Sequence, residues 1–306
     1  MATAAAHPVT ESVVTPAEVE AFQRDGFVVP KQGLDSDSTK FLVESVEQVF
    51  ADNPDWQSII RMPHVPIREG QEEGVIGAEK LFEIAIHPTI IAAARELIGP
   101  NLIMWGGEIF AKPAGTGKGT PWHQDCYNPA VKAGPGRSHA HSVMIWIAVD
   151  DVAADNGCLR YVPGSGKNGQ IEHIIDANRT DGILNFEVDK QGVDFSTAVN
   201  AELKPGHFSC HDVFVVHGAN ANTSGRRRAG LTFHYMDAAD LYDRSFGLAK
   251  AAGEGRKPAP LATRPIWLVL GENQNPENDF VTGHQNLEDL DALAEANRLR
   301  LNKLLL

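Results

Sequence analysis

The sequence predicts a single α+β domain with a mainly β core. Two observations lead there. Helical periodicity and helix caps occupy the first hundred residues, whereas after Asn101 the pattern changes to short apolar stretches separated by Gly, Pro and Asn turns. That second pattern suggests an antiparallel sandwich or barrel. No Ser/Gly linker and no internal repeat divides the 306 residues, a length sufficient for one substantial core.

Residues 1–14 lack a basic n-region and an apolar h-region, so they read as a mobile N-terminal tail and not as a secretory signal. Thr15 is placed to cap a helix with Pro16 in its first turn, and Asp25-Gly26 ends it. Phe27 to Pro30 reads as a short strand. A second helix runs from Ser36 to Asp52, with Phe41, Leu42, Val46 and Phe50 on one face. Residues 59–74 look like loop, with Arg61, His64 and Arg68 following no periodicity. Two further helices are expected over 78–86 and 88–98, the second closed by Gly99-Pro100. Strands follow near 102–112, 119–126, 140–149, 157–162, 199–203, 206–211, 213–217 and 229–237. The stretch 127–139 is long, rich in Gly and Pro, and a candidate lid. Residues 164–198 suggest a crossover with little regular structure. An amphipathic helix is expected over 287–305. The single domain of 15–306 thus has a helical part (15–100), a β core (101–237) and a C-terminal extension (238–306).

A net charge of −13 argues against nucleic acid, whose phosphates demand a basic surface. No apolar run approaches the roughly 18 residues of a membrane span. The three cysteines (Cys126, Cys158, Cys210) form no CxxC, which fits a reducing cytoplasm and neither a disulfide framework nor a structural zinc site.

The chemistry centres on Trp122-His123-Gln124-Asp125. On a strand, His123 and Asp125 would share a face, and an imidazole and a carboxylate could then grip one cation. A distant histidine would complete a two-His-one-carboxylate facial triad, the arrangement that leaves three coordination positions open and suits non-haem Fe(II). His217, after the apolar run Val213 to Val216, is the best candidate; His211 is the alternative. Asn156-Gly157 is a hairpin signal. Arg226-Arg227-Arg228 precedes a strand that should run back beside the metal. An arginine there could hold a dicarboxylate through a two-pronged hydrogen bond.

With these residues in place the sequence resembles the phytanoyl-CoA dioxygenase family of Fe(II)/2-oxoglutarate oxygenases. The resemblance covers Phe22 to Phe27, His123 to Asp125, Trp146 to Val152, Asn156 to Ser165 and His217 to Arg228. It implies a double-stranded β-helix (jelly roll) with N- and C-terminal helices packed outside. It further implies Fe(II) on His123, Asp125 and His217, with 2-oxoglutarate and O2 as cosubstrates. Arg228 would hold the distal carboxylate of 2-oxoglutarate, Trp146 would line its pocket and Lys112 would add a second contact. Arg226 is the register alternative to Arg228. The family often has serine where this chain has Ala219, so a nearby hydroxyl such as Thr232 would have to replace that hydrogen bond. Gly-Asp, usual near 206–207, is here Gly206-His207. The implied reaction is hydroxylation of a small molecule with release of succinate and CO2. Asp125 argues against halogenation, because related halogenases have alanine or glycine there. Substrate contacts are sought at Tyr127, Asn128, His139, Arg61 and Arg68. The expected partner is a small-molecule substrate, with no nucleic acid or membrane, for a monomer or homodimer. A non-catalytic cupin-like sensor, a zinc hydrolase, or a dioxygenase carrying out desaturation, epimerisation or cyclisation are the competing readings.

Overall fold

The computed structural model describes residues 12–54, 59–65, 75–115, 117–127, 130–244 and 264–280. Four helices lie among them: α1 (Pro16–Asp25), α2 (Ser36–Asp52), α3 (Ala78–Ala85) and α4 (Pro88–Ile98). α1 starts in a capping box, the Thr15 hydroxyl accepting from Glu18 N and the Glu18 carboxylate accepting from Thr15 N. Pro88 opens α4, where its missing N–H costs nothing.

The strands are β1 (Phe27–Val28), β2 (Ile59–Arg61), β3 (Leu102–Lys112), β4 (Thr120–His123), β5 (Val131–Lys132), β6 (Ser142–Ala148), β7 (Leu159–Tyr161), β8 (His173–Ile175) and β9 (Phe186–Val188). They continue with β10 (Val199–Ala201), β11 (Phe208–Asp212), β12 (His217–Ala219), β13 (Arg228–Asp237), β14 (Leu241–Tyr242) and β15 (Trp267–Leu270). A seven-stranded sheet runs β1-β11-β6-β13-β3-β15, with β2 also on β3; a four-stranded sheet runs β10-β7-β12-β4. All pairs are antiparallel. The two sheets form a jelly roll. Trp146 and Ala148 of the large sheet pack with Leu159, Tyr161 and Ala219 of the small one.

β13 shows how the sequence places the site. Ala229, Leu231, Phe233 and Tyr235 are fully buried in the core shared with α1–α4. Period-two alternation therefore turns Arg228, Gly230, Thr232 and His234 toward the barrel interior. A strand buried on both faces reads as continuous burial, which explains why polar side chains appear inside it.

Several expectations change. Residues 59–61 are not loop but β2, with Ile60 in the core; three residues are too few to show a period. The strand expected at 119–126 stops at His123, and Asp125 begins a 3₁₀ turn. Residues 213–216 form a turn, because Asp212 accepts from Phe214 N and Val215 N through its side chain and carbonyl and ends β11. Val215 and Val216 are still fully buried, so the apolar run reports burial and not strand. The crossover region contains the β8–β9 hairpin. Packing begins at Val13, inside the expected tail, since Val13 and Val14 belong to the helical core. The expected helix at 287–305 lies outside the described residues.

Candidate metal centre

His123 ends β4 and His217 begins β12, and the two face each other across that strand pair. Each imidazole is oriented by a backbone carbonyl: Nδ1 of His123 donates to Pro121 O (2.9 Å) and Nδ1 of His217 to Val215 O (3.1 Å). Both Nε2 atoms are thereby left as lone-pair donors, the second-sphere arrangement found behind metal-ligating histidines. They lie 3.6 and 3.8 Å from Asp125 Oδ1. The ligand atoms of His123, Asp125 and His217 all fall within 4.8 Å of one another, the group among the described residues with metal-binding geometry. The 3₁₀ turn, and not a shared strand face, brings Asp125 to the histidines.

Burial alone would raise the Asp125 pKa, but His217, His123 and His211 hold the carboxyl well below its ordinary range. Burial, then the neighbouring His123, pushes His217 well below the usual imidazole value. A deprotonated carboxylate and neutral imidazoles are the forms that ligate a cation. Gln124, between the two ligands, is fully buried. Its side chain donates to Gly169 O (3.0 Å) and Phe214 O and accepts from Ile171 N (2.7 Å), fastening the turn.

A second cluster lies on the large sheet. Arg228 and Lys112 are directly opposed across β13 and β3, both buried. Arg228 Nε donates to Gly157 O (3.0 Å), and its guanidinium lies 5.3 Å from the centre of the Trp146 ring. Lys112 Nζ donates to the carbonyls of Asn220 and Ala219. Among the described residues neither cation forms an ion pair. Burial lowers Arg228 to about 10. Burial and then the Arg228 charge lower Lys112 to about 7. Two like charges facing each other across a sheet are unfavourable by themselves; an anion between them removes the conflict. Gly157 belongs to the same corner. Its φ is +83°, and a Cβ there would fall 2.5 Å from Asn220 O, so the Asn-Gly hairpin signal marks a backbone that must approach closely.

Of the three consecutive arginines, only Arg228 points inward. Arg226 pairs with Asp155 (2.8 Å) and Asp151, and Arg227 with Asp150 (2.8 Å) and Glu47. The Thr232 hydroxyl is buried on the same inward face and makes no hydrogen bond among the described residues.

A cavity of about 730 Å³ reaches Asp125 and is lined also by Trp105, His139, His141, Asp212 and Phe214. His139 therefore lines the cavity that reaches Asp125. Arg61 is exposed on β2, opposite Glu108. Tyr127 lies in the Asp125 turn; its side chain, and the whole of Asn128 and Arg68, lie outside the described residues. The expected lid is fastened. β5 pairs with β14, and the buried Asp240 carboxylate accepts from Gly134 N (2.8 Å), His141 N (2.7 Å) and Arg137.

Sequence reasoning missed two arrangements. Glu108 and His234 form an ion pair (2.8 Å) on the inward faces of β3 and β13. Burial opposes ionisation of Glu108, yet His234, Arg264 and Arg61 bring its pKa down to about 2. His211, a core residue or else the runner-up metal ligand by sequence, contacts Asp125 Oδ2 (3.2 Å) and the Tyr161 hydroxyl (3.1 Å). Alternation along β11, whose Phe208 and Cys210 face the helical core, turns His211 inward, but nothing in the sequence pairs it with Tyr161.

Comparison with known proteins identifies relatives of this chain. A "Probable phytanoyl-CoA dioxygenase" of Caenorhabditis elegans is 29% identical over 165 residues, 51% of this chain and 51% of that protein. "Phytanoyl-CoA dioxygenase domain-containing protein 1" of Danio rerio is 31% identical over 167 residues, 52% of this chain and 54% of the relative. The match thus spans about half the length of these curated relatives. The ectoine dioxygenase of Sphingopyxis alaskensis is 22% identical over 78% of this chain and 81% of its own. The solved apo structure of the non-heme monooxygenase ThoJ shares the fold, with a TM-score of 0.63 at 22% identity over 94% of this chain and 98% of that one. The profile of the phytanoyl-CoA dioxygenase (PhyH) family matches residues 22–230, more than half of the chain, and the chain belongs to that family.

Proposed function

We propose that this protein is an Fe(II)- and 2-oxoglutarate-dependent dioxygenase that hydroxylates a small molecule. The observation that carries the reading is the pairing of two clusters in one barrel: the His123–Asp125–His217 donors, and the buried Arg228–Lys112 cations, which have no ion-pair partner among the described residues. The donor set fits iron, with two imidazoles and one carboxylate on one face and three positions left open. The cations fit a cosubstrate that carries a carboxylate.

In this reading His123 Nε2, Asp125 Oδ1 and His217 Nε2 hold the metal. Arg228 and Lys112 hold the distal carboxylate of 2-oxoglutarate, with the Trp146 ring as a wall that keeps the guanidinium in place. When bound, Fe(II) with 2-oxoglutarate and O2 supplies the oxidation whose products are succinate, CO2 and a hydroxylated substrate. The cavity beside Asp125 positions that substrate, with His139 lining it; Arg61 is not among the lining residues. Its mixed lining of Trp105, Phe214, Asp212 and two histidines suits a small molecule with both apolar and polar parts. Among the described residues no helix is long and apolar enough to cross a membrane.

The test is O2 consumption and succinate release with Fe(II) and 2-oxoglutarate, compared with the His217→Ala variant. Turnover that needs both additions and vanishes in the variant is expected. Binding without any O2 consumption would favour the sensor reading, and hydrolysis supported by Zn(II) alone would favour the hydrolase.

A further inference from the structure

We infer that His211, held by Tyr161 and Ser209, is a positioning residue that makes Asp125 a ligand through one oxygen only. The inference rests on the metal-centre reading above. The two carboxylate oxygens of Asp125 have different surroundings. Oδ1 faces Nε2 of His123 (3.6 Å) and of His217 (3.8 Å). Oδ2 faces Nε2 of His211 (3.2 Å).

The proton arrangement then follows from what each group can give. A carboxylate that serves a metal has no proton to offer, so His211 Nε2 donates to Oδ2. A neutral imidazole carries one N–H, so its Nδ1 must accept. The partner of Nδ1 is the Tyr161 hydroxyl at 3.1 Å, which therefore donates to it. The remaining contact of that hydroxyl is Ser209 Oγ at 2.9 Å, which must donate to Tyr161. The chain runs in one direction, from Ser209 through Tyr161 and His211 to Asp125.

Its members are fixed by the fold. Ser209 and His211 lie two apart on the inward face of β11, and Tyr161 reaches them from β7 of the opposite sheet. Phe27 stacks on the Tyr161 ring at 4.6 Å and 15°. Ser209 and Tyr161 are fully buried and His211 is 3% exposed.

The consequence concerns the count of coordination positions. A facial triad uses three of six. The other three would stay free for the cosubstrates of the proposed reaction. A carboxylate bound through both oxygens would take one of those three, and so would His211 as a fourth protein ligand. By engaging Oδ2, His211 closes off both possibilities.

The experiment uses full-length wild type and the variants His211→Phe, His211→Gln and Tyr161→Phe. Anaerobic Fe(II) binding is measured first, then 2-oxoglutarate binding to the iron-loaded protein, with metal-edge X-ray absorption to count imidazole ligands. His211→Phe is expected to lower iron affinity roughly 10- to 100-fold and to weaken 2-oxoglutarate binding further in the loaded form. His211→Gln places an N–H where Nε2 stood and is expected to restore both. Tyr161→Phe leaves His211 in place without its orienting partner and is expected to lower iron affinity by roughly three- to tenfold. Should His211→Phe fail to fold, the Gln rescue and the Tyr161→Phe loss still decide. Binding of iron and 2-oxoglutarate unchanged in the variants, or three imidazoles on the wild-type metal, would overturn the inference alone. A wild type that binds no iron would overturn the metal-centre reading, and this inference with it.

Discussion

Replacing Gly230 by alanine tests the packing behind Arg228, the proposed anchor of the cosubstrate. Gly230 lies on the inward face of β13, midway between Arg228 and Thr232, and the ring of Trp146, a β6 residue paired with Thr232, reaches into the space a side chain would use. A Cβ at Gly230 would come within 1.9 Å of Trp146 Cζ2, 2.3 Å of Cε2 and 2.4 Å of Cη2. Carbon contacts are comfortable only near 3.5–4.0 Å, so the ring must swing or the strand must move by more than an ångström. Trp146 is only 3% exposed, which leaves the ring little room. Overpacking of this kind costs about 1–3 kcal/mol. The reduced freedom of the unfolded chain returns about 0.4–1 kcal/mol. A net loss of about 1–2 kcal/mol is expected. A displaced ring also leaves the Arg228 guanidinium, now 5.3 Å from it, so 2-oxoglutarate affinity should fall as well. Urea unfolding and calorimetric titration of 2-oxoglutarate read the two effects separately. In a Trp146→Leu background the clash is gone, and adding Gly230→Ala should then cost close to nothing. Equal stability of Gly230→Ala and wild type, or the same loss in both backgrounds, would refute the reasoning.

Three other predictions concern charge. Arg228→Ala should weaken 2-oxoglutarate binding by about 30- to 1000-fold, whereas Arg226→Ala, which removes only surface pairs with Asp151 and Asp155, should leave it unchanged; calorimetry distinguishes them. Lys112 has its pKa lowered from 10.5 to about 7 by burial and by Arg228. A carboxylate beside it favours the charged form, so affinity for 2-oxoglutarate should be highest below pH 7 and fall as pH rises from there, by up to about tenfold per unit. Lys112→Met should flatten that dependence. Glu108 is held at about 2 against an ordinary 4.5. A depressed carboxylate stabilises the fold above the unfolded value and loses that contribution as pH falls toward the folded one. The window is therefore pH 4.5 down to 2, worth about 3 kcal/mol, and Glu108→Gln should remove this part of the acid sensitivity in pH-dependent unfolding.

How much of this was legible depended on whether the signal is local. Helix α1 announces itself within four residues through Thr15, Pro16 and Glu18, and β13 through its length. The donors at 123, 125 and 217 were legible as residue types, but the reason Asp125 reaches the histidines was not. It depends on a turn fastened by Gln124, whose partners Gly169, Ile171 and Phe214 lie far along the chain. β2 was missed because its hydrogen bonds to β3 come from residues about fifty positions away. The direction of Arg228 was left open against Arg226, since residues two apart share a strand face. Arg226 precedes the strand, and its acidic partners on the 150–155 turn decide the matter. His211 and Tyr161 meet only because the two sheets close on each other, which no single stretch of sequence records.

The central claim is that His123, Asp125 and His217 hold one Fe(II) ion, and anaerobic calorimetric titration of iron tests it most directly. Wild type should bind one equivalent, and His123→Ala and His217→Ala should each lose the site while keeping the melting profile of a folded domain. One equivalent bound with wild-type affinity by either alanine variant would contradict the account.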